Sequence, residues 1–514
     1  MWIFFLCLLF PPSYAKPQFA FSADTLVVTL NTQNPSQMAK LVCGKVEDPL
    51  DFHFERYQIS KTPGNLHTFK ITGISENQHY IFKAAYFDTI TKVYYATQNY
   101  FFKPKRIGNK LEEGIVIDAG PYLSLPAQNR VGISLYTNRP SRAVLRIKNL
   151  IEIEDTVLKE RHEFSVSIMK PGIYEYSVTV YDDRDTSTGF LYTFRISNGK
   201  KLRIGVFGDT RGNPNSLNPE FYVDGVNEEI GRRVLKALFD EKVDIIFVTG
   251  DLITGRMQNI EYAEEEYKSF IKACWPYISY VPVMPVPGNH DMIAPVMENE
   301  EMRYDPPPPN SAENLWAKVF TLPENGPESP QGMPPYVENV YFLRIGDFVI
   351  YALNSDYNYT LYKKLPNPSI RLPDTLQRKW LREKIRENSC AKHMILLFHE
   401  PLIGLGISER GIRSPEVDTF ANFIKNLGFR YYISCHDHMY ARGKIFNGLT
   451  QIVSAGGGAP LYDLKKELLD SRDIVIEKYV KTFNYLVIEP VDRKRLRITA
   501  KSLSGRILDV FETK

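Results

Sequence analysis

Between residues 16 and 106 the chain alternates short aromatic and β-branched runs with turns rich in Asn, Gly and Pro. Residues 24–30 and 80–86 carry the period-two pattern of half-buried strands. Residues 112–198 repeat this texture at 131–136, 143–147 and 174–181. The two stretches read as copies of one unit: His67-x-Phe69 and Tyr80-x-Phe82 match His162-x-Phe164 and Tyr174-x-Tyr176, with the intervening loop differing by one residue. Each has the length of a sandwich of about seven strands, near ~100 residues.

The texture changes after residue 200. Residues 202–207 and 244–248 are apolar runs of buried-strand length, and 234–241 reads as the end of a helix between them, a β-α-β unit. Further strands are expected at 281–286, 394–398 and 431–434, with helices at 375–388 and 417–427. The pattern over 485–510 predicts a closing hairpin, and the Pro-rich passage 305–335 predicts a long surface loop, either a linker or a segment shaping substrate access. The expected architecture is multidomain: two N-terminal all-β sandwiches, 16–106 and 112–198, then an α/β domain over 200–514.

At 514 residues and 43% hydrophobic content the chain can bury several cores. Lys plus Arg number 63 against 60 Asp plus Glu, so no basic footprint for nucleic acid is expected and an anionic substrate must be held locally. The apolar run 2–11 followed by Ser13-Tyr14-Ala15 reads as a cleavable signal peptide over 1–15, although no Lys or Arg precedes it. A buried N-terminal strand is the alternative. No later segment has transmembrane length, so a secreted or periplasmic protein is expected, with its oligomeric state open. Beyond Cys7, the cysteines at 43, 274, 390 and 435 show no CxxC spacing and no disulfide framework. Cys435, beside His436, reads as a small packing residue rather than a ligand. His53, His67, His79 and His162 lack ligand spacing and read as structural or surface residues.

The chemistry is concentrated in five short segments that follow apolar runs: Gly208-Asp209-Thr-Arg-Gly, Gly250-Asp251, Gly288-Asn289-His290-Asp291, Phe398-His399 and His436-Asp-His438. Carboxylates, imidazoles and one amide oxygen suit Fe, Mn or Zn, and one carboxylate can bridge two ions. Two cations roughly 3.5–4 Å apart can activate a water, orient a phosphoester and steady an in-line displacement.

With His436-Asp-His-Met-Tyr440-Ala-Arg442 and Gly456-Gly-Gly-Ala-Pro-Leu-Tyr462, these blocks resemble a calcineurin-type metallophosphoesterase domain of the purple acid phosphatase branch. Gly120-Pro-Tyr-Leu and Lys170-Pro-Gly in the second β stretch resemble the fibronectin-type-III-like domain preceding such catalytic domains. The resemblance implies fibronectin-III-like sandwiches and an αββα catalytic sandwich. It also implies Asp209, Asp251 and His438 around one metal ion, with Asp251 bridging to a second held by Asn289, His399 and His436. His290 would protonate the leaving oxygen, with Asp291 fixing its tautomer; a hydrogen-bonding role without proton transfer is the alternative.

Two positions depart from the family. Arg211 stands where many members have a ligating histidine, and it cannot ligate; it could clamp a phosphate oxygen or form a structural salt bridge. Thr254 stands where purple acid phosphatases carry a ligating tyrosine, which leaves three obvious protein ligands for the first ion. Asn213, Tyr440 and Arg442 are weaker candidates for the pocket rim. The expected activity is hydrolysis of phosphomonoesters on small molecules or proteins. A phosphodiesterase or nucleotide hydrolase is the close alternative, and a surface-binding protein with a degenerate esterase domain is the alternative from another class.

Overall fold

The computed structural model describes residues 17–513 apart from 91, 93, 213–221, 224, 256–259, 293–295, 299–300, 304–310, 358–370, 407–412, 466 and 468–471. The expected signal segment, Asn213 and the proline run at 305–309 lie outside the described residues.

The first β unit is organised by one long strand, Thr25–Lys45. Its residues 25–29 pair with Gln18–Ser22 and residues 26–36 with Gly64–Ile71, whereas residues 39–43 pair with Arg56–Ser60 and 36–45 with Tyr80–Asp88. Both halves send apolar side chains into one core: Leu26, Val28 and Leu30 from the first, Leu41 and Cys43 from the second, closed by Phe69, Phe82 and Phe102. The sheet therefore folds over itself to bury its apolar face.

The second unit repeats this wiring. Strand Arg130–Ile147 pairs with Ile117–Ala127 through its first half and with Gly172–Tyr181 through its second, while Ile151–Ser167 runs beside both. The matched histidines, His67 and His162, are both fully buried and lie 3.0 Å from the hydroxyls of Ser60 and Ser141. This unit has no core of its own, because Ile133, Leu135 and Tyr176 belong to the same cluster as Ile204, Val206 and Phe247 of the next domain. Tyr176 donates to Ser279 O at 2.9 Å and Trp275 to the Tyr192 hydroxyl at 3.1 Å across that junction.

The C-terminal domain contains a six-stranded and a seven-stranded sheet. Ile204–Phe207, Ile245–Thr249 and Val283–Val286 are parallel neighbours in the first; Phe348–Ala352, His393–Leu397 and Tyr431–Ser434 are parallel neighbours in the second. Alternation along the strands separates two apolar faces. Ile395, Leu397, Ile433 and Ile452 join the cluster containing Ile204 and Val206. Leu396, Phe398, Tyr432 and Val453 instead pack with Trp380, Leu381, Val417 and Phe420.

Among the described residues the α-helices are α1 (Glu228–Asp240), α2 (Ile260–Cys274), α3 (Asn289–Met292), α4 (Ala312–Val319), α5 (Thr375–Glu387) and α6 (Pro415–Asn426). Side-chain oxygens of Asn227, Ser311, Asp374 and Ser414 cap α1, α4, α5 and α6.

Two expectations need correction. Residues 311–335 are not a continuous loop: Ser311 starts α4, whose Leu315, Trp316 and Val319 are buried, and Thr321 meets Ser134 of the second β unit at 2.8 Å. Residues 485–510 form more than a hairpin, because Asn484–Pro490, Leu496–Ser502 and Ile507–Glu512 make a meander whose first strand pairs with Ile204–Phe207.

The first β unit also enters the C-terminal domain. Tyr94–Ala96 pairs with Tyr222–Val223, which pairs with Val226–Asn227, and Val226 bridges to Arg211. Beside this continuation, Glu228 accepts from Asn99 at 2.8 Å, Arg232 at 2.8 Å and Lys83 at 3.2 Å.

Candidate metal centre

All six proposed ligands follow parallel strands at their carboxyl ends, where α/β sheets open binding crevices. Asp209 follows Ile204–Phe207, Asp251 follows Ile245–Thr249, and Asn289 opens α3 after Val283–Val286. His399 follows His393–Leu397, and His436 and His438 follow Tyr431–Ser434. His393 starts its strand and so lies at the opposite end from His399. Three of these residues have left-handed backbones, Asp209 at φ 62°, Asp251 at 53° and His436 at 67°, a conformation that non-glycine residues adopt only when the surroundings enforce it. The reason is local: the chain must reverse from a buried strand while aiming a polar side chain into the gap between the sheets.

Two groups of ligand atoms result, each lying within 4.8 Å of one another: Asp251, His399 and His436, and Asp209, Asp251 and His438. Asp251 belongs to both. His399 Nε2 lies 3.2 Å from Asp251 Oδ1, and His436 Nδ1 lies 3.0 Å from Asn289 Oδ1 and 3.3 Å from His399 Nε2. His438 Nε2 lies 3.3 Å from Asp209 Oδ1.

Backbone carbonyls set two of these rings. His399 Nδ1 donates to Thr249 O at 2.8 Å and His438 Nδ1 to Pro460 O at 2.6 Å; a carbonyl can only accept, so each ring turns Nε2 into the cavity. Tyr462 stacks on His438 at 4.1 Å.

These residues suit a cation. Asp209 Oδ1 is buried and accepts no hydrogen bond among the described residues, yet it faces an imidazole nitrogen. Burial by itself would raise the Asp251 carboxyl, but His399, His290 and Arg211 hold it well below the usual carboxylate range. For His399, burial opposes protonation, but Asp251 and Asp209 raise its pKa well above the ordinary value.

His290 sits beside the groups with its Nε2 3.9 Å from Asp251 Oδ2, and its Nδ1 donates to Thr254 O at 2.5 Å. This corrects the role expected for Asp291. Neighbouring residues on a helix point in different directions, and the Asp291 carboxylate turns back to accept from Gly288 N at 2.9 Å and Leu252 N at 3.2 Å. Thr254 orients the imidazole, and Asp291 secures the turns. Arg211 reaches the same cavity, its Nε 3.3 Å from Asp251 Oδ2 and its Nη2 3.4 Å from His438 Nε2.

Tyr440 and Arg442 are not rim residues: both bond Asp509 at 2.7 Å and tie their strand to the C-terminal one. Cys435 is buried under the site, 2.6 Å from the Thr249 hydroxyl, and donates to Ser454 O at 3.0 Å. Sequence reasoning missed Glu400, buried 3.4 Å from His436 Nε2 and bound by Arg371 at 3.1 Å. Its position directly after His399 was the available signal.

The calcineurin-like phosphoesterase family profile matches residues 202–440. No curated protein matches the chain. Among solved structures, the purple acid phosphatase PPD1 from yellow lupin (Lupinus luteus) seeds is similar at TM-score 0.60 and 13% identity, over 96% of this chain and 93% of that one. PhoD is similar at TM-score 0.50 and 11% identity, over 77% of this chain and 88% of that one. At these identities the likeness is one of fold. Residues 202–440 are accordingly a calcineurin-like phosphoesterase domain, and the chain that carries it is a phosphoesterase enzyme.

Proposed function

We propose that the chain hydrolyses phosphomonoesters in a metal-dependent reaction, and that it acts outside the cytoplasm, as the segment 1–15 suggests. The observation that carries this reading is the pair of ligand groups sharing Asp251, with His290 and Arg211 facing the same cavity. The likeness in fold to a solved purple acid phosphatase supports a phosphatase reading.

Asn289, His399, His436 and Asp251 form one ligand set for Fe, Mn or Zn, and Asp209, His438 and Asp251 the other. Bound divalent cations supply Lewis acidity, lowering the pKa of water toward ~7 and offsetting phosphate charge. Asp251, buried, keeps its charge and faces both sets. Arg211 offers a planar fork of donors to the phosphoryl oxygens. With Nδ1–H held by Thr254 O, the imidazolium of His290 carries its transferable proton on Nε2, the atom facing the cavity. As water attacks phosphorus in line, that proton passes to the departing alkoxide.

The test is hydrolysis of p-nitrophenyl phosphate against bis-p-nitrophenyl phosphate with Mn, Fe or Zn supplied, for wild type and Asp251→Ala, alongside metal analysis. The expected result is monoesterase activity in the wild type, with metal and turnover lost together in the variant. Preference for the diester would assign the chain to the phosphodiesterases. No turnover on either substrate would favour a binding protein, and full activity of Asp251→Ala would remove that residue from the mechanism.

A further inference from the structure

We propose that the Arg211 guanidinium takes the place of one of the two cations, so that the centre binds a single divalent metal ion through Asp251, Asn289, His399 and His436. This rests on the metal-dependent reading above and changes what that reading contains.

His438 Nδ1–H is committed to Pro460 O, which turns Nε2 toward Asp209 Oδ1 at 3.3 Å. The group holds two buried carboxylates, Asp209 and Asp251, which call for a positive charge against them. Arg211 supplies that charge in place, with Nη2 3.4 Å from His438 Nε2 and Nε 3.3 Å from Asp251 Oδ2. The guanidinium thus spans two members of the Asp209, Asp251 and His438 group.

Arg211 is fixed there. Its side chain is 11% exposed, its backbone N–H donates to Asp251 O at 3.0 Å, and it bridges to Val226. A metal ion in the same group would find three protein ligand atoms and no fourth at Thr254. The Thr254 hydroxyl donates to Gly212 O at 2.7 Å, with Gly225 O at 3.1 Å, and its carbonyl is taken by His290.

The other group is built differently. It gathers two imidazole nitrogens, an amide oxygen and Asp251 Oδ1, whereas Arg211 Nε lies 3.3 Å from Oδ2. Asp251 therefore presents Oδ1 to a metal site and Oδ2 to a guanidinium. Charge agrees: one divalent ion and Arg211 against Asp209 and Asp251 leave a net +1, which attracts a phosphate dianion, whereas two divalent ions would add mutual repulsion with a guanidinium that cannot deprotonate.

The experiment is reconstitution of the chelator-stripped, full-length protein with Mn²⁺, followed by metal analysis of the desalted protein and electron paramagnetic resonance. Wild type is expected to hold one Mn per chain with the spectrum of an isolated ion. Arg211→Lys, which keeps a positive charge, should also hold one. Arg211→His, which replaces the charge by an imidazole ligand, should hold two and give an exchange-coupled spectrum. Two Mn per chain in the wild type would overturn the proposal, as would a single Mn in Arg211→His. No Mn in wild type would overturn it together with the metal-dependent reading, whereas two would leave that reading standing.

Discussion

At Asp251 three requirements meet in one side chain: a left-handed backbone, a charge held in a buried cavity, and two oxygens with different partners. Its partner His399 makes metal binding a competition with protons. Asp251 and Asp209 raise the His399 pKa against the effect of burial, so the metal-free protein keeps a proton there that a metal must displace. A raised pKa means the proton is held most firmly at low pH and lost as pH rises. Mn²⁺ affinity is therefore expected to climb by about tenfold per pH unit below the His399 pKa, where one proton leaves per ion bound. Calorimetry in buffers of different ionisation enthalpy would check it; affinity flat between pH 6 and 8 would refute the competition.

Residue types in the five segments were readable because only a few side chains, Asp, Asn and His among them, can ligate such metals. The carbonyls of Thr249, Thr254 and Pro460 that orient the rings were not, since every residue carries one.

At the scale of elements, ligands sit where buried parallel strands stop, and such strands read as unbroken apolar runs. Hence the five expected strands beyond residue 200 match observed ones within a few residues, as do α5 and α6. Helix α4 was hidden by the prolines around it, and Asp291 was misjudged because spacing along a helix of four residues does not reveal which way each side chain turns.

The close approach of strand ends has its own cost in sequence freedom. Gly250 has φ 88°, and a Cβ there would lie 2.4 Å from His399 Nδ1. Gly250→Ala should lower stability by about 1–3 kcal/mol through backbone strain. It should also weaken Mn²⁺ binding at least tenfold by displacing the His399 ring from Thr249 O. Urea unfolding and metal titration would measure both, and unchanged affinity would show that the ring tolerates the methyl group.

Across the whole molecule, the first β unit is continuous with the catalytic wall through Tyr94–Ala96, Tyr222–Val223, Val226–Asn227 and Arg211. Glu228 clamps that junction. Burial would raise its carboxyl, but Lys83, Arg232 and Asn99 outweigh burial and lower it below 4.5. A depressed pKa contributes stability above the unfolded value and loses it as pH falls through the folded value. Glu228→Gln is thus expected to cost about 2 kcal/mol near neutral pH, as charge-assisted bonds are lost. The difference should shrink below about pH 4.5. Urea titrations of both proteins at pH 7 and pH 4 would test it, and equal differences at the two pH values would assign the cost to packing.

The chain's own order of residues determined the two repeated β units, the strands of the catalytic domain and the kinds of atom at their ends, because periodicity and ligand chemistry are local properties. Only the tertiary structure decided that the second β unit shares its core with the catalytic domain, that Tyr440 and Arg442 belong to Asp509, and that Arg211 lies between Asp251 and His438. Those facts depend on which distant segments meet, and distance along a sequence carries no charge, volume or angle from which that meeting can be computed by inspection.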